Sequence, residues 1–261
     1  MKLTRTEIDF LKPRKEGRIG VDMHYHTVYS DGRARVDDVL KVCAKKGCGV
    51  AITDHNEIRG AVEACRQKTV FVVPGIEIRT SRCIDLLAYF YDIKELEEFY
   101  EKYVKNNEKK NLIYQLHKLS LKDEELIDAL KNYNTLISLA HPFFPATGGR
   151  WLYRRNNELF DKVDAIEVLN AKAMKFMNKK AEIWRKASEK AGTVGTDGHT
   201  LGALGRALTV ANAETVDEFL DEVKNKKAEG IGKEMGFFRS ALERLVSFKK
   251  DVSLSKAKDL K

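Results

Sequence analysis

The feature that most constrains this chain is an alternation. Short apolar stretches of strand character recur at residues 19–23, 50–53, 70–78, 84–91, 135–140, 165–169, 193–195 and 207–210, and stretches of helical period lie between them. A helix between two strands carries the chain back over the sheet, so the next strand runs parallel to the last; the expected architecture is α/β, a parallel sheet or barrel of βα units. Core-facing stripes at i, i+3, i+4, i+7 support it: Val36, Val39, Leu40 and Cys43; Leu96, Phe99, Tyr100 and Tyr103; Val216, Phe219, Leu220 and Val223. Thr215 and Glu218 have capping-box spacing and set the start of the last of these helices. Phe238, Ala241, Leu242 and Leu245 suggest one more.

At 261 residues, 43% of them hydrophobic, with 4 prolines and 17 glycines, the chain is long and apolar enough to bury a sizeable core, which excludes a disordered or collagen-like protein. No Gly/Ser or Pro-rich linker divides it, so a single domain is expected over 19–249. Residues 1–18 read as a loosely held extension, about 94–132 as a polar helical insertion, and 250–261 as a basic tail. The absence of a long apolar run excludes a membrane span, and the first residues lack the apolar stretch of a secretory signal, so the expected location is cytoplasmic. Cys43, Cys48, Cys65 and Cys83 lack CxxC spacing and are read as reduced and mostly buried. A formal charge of +8 favours an anionic partner without saying which.

Five of the six histidines fall near the ends of expected strands: His24, His26, His55, His141 and His199. In barrels, the loops at the C-terminal strand ends open onto one face, so these side chains are placed to converge. Asp22, His24 and His26 alternate along one strand and share a face. Asp31 follows in Tyr29-Ser30-Asp31-Gly32, and Thr53-Asp54-His55 and Gly75-Ile76-Glu77 each continue an apolar strand into potential ligands. Ala140-His141-Pro142 and Thr196-Asp197-Gly198-His199 repeat the pattern. A nitrogen and oxygen donor set without thiolate suits Zn, Mn or Fe.

Over residues 19–211 these five motifs, in this order, resemble the PHP (polymerase and histidinol phosphatase) superfamily of metal-dependent phosphoesterases. The resemblance implies a distorted (β/α)7 TIM-like barrel with two or three divalent ions at its C-terminal face. It implies His24, His26, Glu77 and Asp197 around one ion, Glu77 and His141 around a second, and Asp31, His55 and His199 around a third, with a metal-bridging hydroxide attacking phosphorus in line. Family members often carry a histidine where Asp85 stands, so Asp85 is a further candidate ligand. Arg33, Arg79, Arg150 and Arg206 are candidates for the phosphate, Arg150 and Arg206 foremost. His117 is read as a surface position on a helix. Gly148-Gly149 reads as a loop over the barrel mouth, with Trp151 and Tyr153 either packing it or stacking on a base.

The expected activity is hydrolysis of a small phosphomonoester such as a nucleotide, a bisphosphate or a sugar phosphate. The alternatives are a 3′-end nuclease on single-stranded nucleic acid and a metal-binding domain without activity. An amidohydrolase-like site would share the HxH but gives no reason for Asp31, His55 and Glu77. Against the nuclease, the barrel region lacks a long basic stripe interleaved with aromatics.

Overall fold

The computed structural model describes residues 1–10, 13, 16–110, 117–145, 157–236, 238–243 and 245. Twelve strands are formed among them: β1 (Leu3–Arg5), β2 (Ile19–Tyr25), β3 (Gly49–Ile52), β4 (Val72–Arg79), β5 (Asp85–Phe90), β6 (Glu108–Lys110), β7 (His117–Leu119), β8 (Thr135–Leu139), β9 (Ala165–Asn170), β10 (Ala191–Gly195), β11 (Ala207–Ala211) and β12 (Glu229–Gly232). Ten of them make one sheet in the order β1-β12-β11-β2-β3-β4-β5-β8-β9-β10. The sheet curls until its last strand returns to β2: Tyr25 and Gly198 form a parallel bridge, the Asp197 N–H donates to the His24 carbonyl (2.8 Å) and the His26 N–H to the Gly198 carbonyl (3.0 Å). The seven strands β2-β3-β4-β5-β8-β9-β10 thereby curl into a distorted barrel, with β11, β12 and β1 extending it alongside β2. It departs from the expected all-parallel βα order at β5, which runs antiparallel to β4 and β8 because the five residues between β4 and β5 are too few for a crossover helix.

Gly195 permits that closure, because a Cβ there would come within 2.5 Å of the His24 Cβ. A second latch is Asp22, which accepts from the Thr196 and Gly205 N–H groups (2.8 Å each) and from the Thr196 hydroxyl. Burial pushes its carboxyl up to about 7 despite these donors.

The two faces of the strands build two layers. On β5, Leu86, Ala88 and Phe90 pack with Leu96 and Phe99 of the helix Ile93–Phe99, while Leu87 and Tyr89 join Ala51, Val73 and Leu136 in a second cluster. Truncating a ring such as Phe90 in the first layer would cost about 3–5 kcal/mol. The expected stripes hold, with Val36, Val39, Leu40 and Cys43 buried on the helix Val36–Lys46. Phe219, Leu220 and Val223 are buried on Val216–Lys224, where Thr215 and Glu218 close the capping box. Residues 238–243 are helical.

Three expectations are corrected. The N-terminal segment is not all loosely held, because Leu3–Arg5 pairs in parallel with Gly230–Gly232 as an edge strand. The region about 94–132 is not wholly helical: between Ile93–Phe99 and the helix Asp123–Leu130 it forms the antiparallel pair β6–β7. His117 begins β7 and is therefore on a strand rather than a helix. Residues 250–261, Arg150, Trp151, Tyr153 and Gly148-Gly149 lie outside the described residues. The four cysteines are free, Cys43 and Cys48 buried and Cys65 and Cys83 partly so. Among the described residues no helix is long and apolar enough to cross a membrane.

Candidate metal centre

Glu77 lies near the end of β4, cross-strand from Leu87, and Arg79 lies cross-strand from Asp85, so all four share one face of the antiparallel β4–β5 pair. Four imidazoles converge on the fully buried Glu77. Its Oε2 lies 3.2 Å from His24 Nε2, His26 Nε2 and His55 Nδ1, and its Oε1 lies 3.0 Å from His141 Nε2. His24 Nε2 and His26 Nε2 are 3.1 Å apart. Two ring nitrogens take about that separation when each sits 2.0–2.1 Å from one ion.

Asp197 Oδ1 is 3.5 Å from His26 Nε2 and 4.0 Å from His24 Nε2. On the other side of His26, Asp31 Oδ1 approaches its Nδ1 at 3.5 Å, and Asp31 Oδ2 lies 2.7 Å from His199 Nε2 and 4.0 Å from His55 Nε2. Among the described residues, four groups of three bring donor atoms within 4.8 Å of one another: His24, His26 and Asp197; His24, Glu77 and His141; His26, Asp31 and His199; His26, His55 and Glu77. The structure thus brings together eight of the nine residues nominated as ligands, but it groups Asp31 and His199 with His26, and His55 with His26 and Glu77, where Asp31, His55 and His199 were expected together.

Asp85 stands apart. Both its oxygens are engaged by the Arg79 guanidinium (2.6 and 2.7 Å), and its Oδ2 lies 4.0 Å from His141 Nε2. Of the other arginines, Arg33 is exposed but its N–H donates to the His199 carbonyl (2.8 Å), and Arg206 is half-buried with its Nε 3.4 Å from the Gly202 carbonyl.

The electrostatics follow from crowding charges in a dry place. Burial works against ionising Glu77, but His55, His24 and His141 hold its carboxyl well below the usual range. Asp31 and Asp197 are likewise held low against their burial, by His199 and by Lys172 respectively. Burial opposes charge on His26, yet Asp31, Asp197 and Glu77 raise it to about 10. For His55 burial prevails and lowers it to about 4. His141 and Asp197 adopt positive φ (25° and 52°), a left-handed conformation that costs non-glycine residues about 1–3 kcal/mol and concentrates at functional sites.

Sequence reasoning missed the residues that orient the ligands. Glu167, buried on β9, meets His24 Nδ1 at 2.9 Å through Oε1 and accepts the His141 N–H (2.8 Å) and the Asn170 amide (3.1 Å) through Oε2. A carboxylate on Nδ1 fixes the tautomer that presents a bare Nε2 inward. The Asp197 carbonyl does the same for His199 Nδ1 at 2.9 Å. Asp54 braces the Asp31 loop by accepting from the Thr27 N–H (2.7 Å), the Thr27 hydroxyl (2.6 Å) and the Ser30 hydroxyl (2.5 Å). The available signal was a lone acid inside the apolar run Ala165–Asn170.

The PHP domain family model matches residues 22–235, which is most of the chain and every ligand candidate. The chain belongs to the PHP-domain family. Members of this family are metal-dependent phosphoesterases. An uncharacterized protein of Methanocaldococcus jannaschii is 32% identical over 169 residues, 58% of this chain and 81% of that one. A two-domain protein of Bacteroides vulgatus containing a PHP-like metal-dependent phosphoesterase superposes with a TM-score of 0.61 at 15% identity, over 96% of this chain and 73% of its own. The lesion-specific endonuclease Q of Pyrococcus furiosus gives a TM-score of 0.64 at 20% identity, over 82% of this chain and 57% of its own. This PHP chain therefore shares the endonuclease's fold while spanning little more than half its length.

Proposed function

We propose that this chain hydrolyses a small phosphate monoester such as a nucleotide, a bisphosphate or a sugar phosphate, using two or three divalent ions drawn from Zn, Mn and Fe. The observation that supports the reading is the sharing of ligands: His24, His26 and Glu77 each belong to more than one group of converging donors, as adjacent ions would require. In this reading His24, His26, Glu77 and Asp197 would hold one ion, Glu77 and His141 a second, and Asp31, His55 and His199 a third. When bound, such ions would supply a Lewis acid for a phosphoryl oxygen, and Zn would lower the pKa of a bound water to about 7.

The chain's own residues do the rest. Glu167 and the Asp197 carbonyl hold His24 and His199 with Nε2 inward. Asp54 fixes the loop that delivers Asp31. Arg79 is committed to Asp85, which leaves Arg33 and Arg206 as the described candidate arginines for the substrate's phosphate. Arg150 remains a third such candidate.

A panel of nucleotides, bisphosphates, sugar phosphates and a short single-stranded oligonucleotide, assayed with Mn or Zn, tests this. The expected result is inorganic phosphate released from at least one small monoester and lost on chelation. Cleavage of the oligonucleotide alone would replace the reading with the nuclease.

A further inference from the structure

Lys172 lies two residues past the end of β9 and is 8% exposed. Its Nζ donates to Asp197 Oδ1 at 2.8 Å and lies 3.4 Å from His199 Nδ1. Asp197 Oδ1 is the same oxygen that faces the Nε2 atoms of His24 and His26. The ammonium therefore sits where it competes with an ion for that carboxylate.

The backbone around Lys172 is fixed with unusual thoroughness. Its N–H and that of Ala173 both donate to Asn170 Oδ1 (3.0 and 3.1 Å), and its carbonyl accepts from the Ser240 hydroxyl. Three residues on, Glu243 accepts from the His199 N–H (2.8 Å) and the Thr200 hydroxyl (2.6 Å), so one helix ties down the loops of Lys172 and of His199 together. A long flexible stem on a fixed backbone lets the ammonium move while its root does not. Lys also carries three rotatable donors as a compact point charge, which suits it to a phosphate oxygen.

We propose that Lys172 is a substrate-binding residue: it neutralises Asp197 in the metal-free chain and, once an ion takes up Asp197 Oδ1, transfers to a non-bridging oxygen of the bound phosphate. This rests on the phosphoesterase reading above. It also assigns the anion contact to a residue on β9's exit rather than to an arginine.

The test uses the full chain loaded with Mn and inorganic phosphate as the probe, read by calorimetry so that turnover is not needed. Lys172→Met is expected to keep the wild-type metal stoichiometry, bind Mn at least as tightly, and bind phosphate at least ten-fold more weakly. Lys172→Arg, which keeps the charge and is the safeguard should the Met variant not fold, is expected to fold, keep its metal and shift phosphate affinity several-fold. Unchanged phosphate affinity in either folded variant, or loss of metal from Lys172→Met, would overturn the proposal and make Lys172 a structural counterion. Phosphate binding by the loaded wild type without turnover of any ester would sink the hydrolase reading while leaving the Lys172 contact standing.

Discussion

Two buried carboxylates on one face of β4–β5, Glu77 and Asp85, solve the same problem in opposite ways. Each is fully or almost fully buried, and each must be matched by positive charge or hydrogen bonds. Asp85 is closed off by one guanidinium in a bidentate pair of fixed geometry. Glu77 is instead surrounded by four imidazoles, none of which carries a permanent charge. The difference teaches where a cation can enter. Beside Asp85 the compensating charge is covalently part of the chain and cannot be displaced by an ion, whereas around Glu77 it is supplied by groups that can give up their protons to make room for one.

The sharpest way to break this comparison is at Glu77. Glu77→Gln keeps the shape and removes the charge that the two proposed ion positions would share, and we expect loss of bound metal and a fall in activity of about 10³-fold or more, equivalent to about 4 kcal/mol. Elemental analysis with steady-state rates checks it; a fully loaded, active variant would make Glu77 a bystander. Next in size is Asp85→Asn, which strands the buried Arg79. Breaking one partner of such a pair typically costs about 3–5 kcal/mol, whereas Arg79→Met with Asp85→Leu together should be near neutral. Denaturant titrations distinguish the two, and metal content should stay at its wild-type level in both.

The proton balance gives a third prediction. His26, raised to about 10, contributes stability to the metal-free chain that is fully present below its unfolded value near 6.5 and is lost as pH rises through 10. His55, lowered to about 4, contributes stability that is present above 6.5 and is lost as pH falls through 4. The metal-free melting temperature should therefore decline toward both ends of that range. Metal uptake at neutral pH should release protons, since His26 must be neutral to ligate. Calorimetry in buffers of different ionisation enthalpy reads this directly, and uptake without proton release would contradict the assignment of His26. The smallest effect is expected far from both carboxylates: Thr215→Ala removes the cap of Val216–Lys224 and should cost about 1 kcal/mol without changing metal content.

What could be read from the sequence was what is encoded locally. Strands of period two followed by helices of period 3.6 mark themselves, and a histidine or acid at the end of an apolar strand marks the face on which ligands gather, so the barrel and the set from His24 to His199 were legible. Strands β1 and β12 were not, since three or four residues carry too short a pattern, and neither was the β6–β7 pair inside a polar stretch. Glu167 and Lys172 escaped for another reason: their contacts, with His24 of β2 and with Asp197 beyond β10, exist only once the barrel closes. The engagement of Asp85 by Arg79 likewise depends on the antiparallel register of β4 and β5, which no spacing along the chain reveals.

The central claim, that ions gathered around Glu77 perform the hydrolysis, is tested most directly by adding Mn back to the metal-free chain in steps and measuring bound metal and phosphate release in the same samples. The account predicts two or three ions per chain at saturation, with the rate rising as the sites fill and returning to background on chelation. Full turnover by the metal-free chain, or saturated sites with no ester hydrolysed, would contradict it.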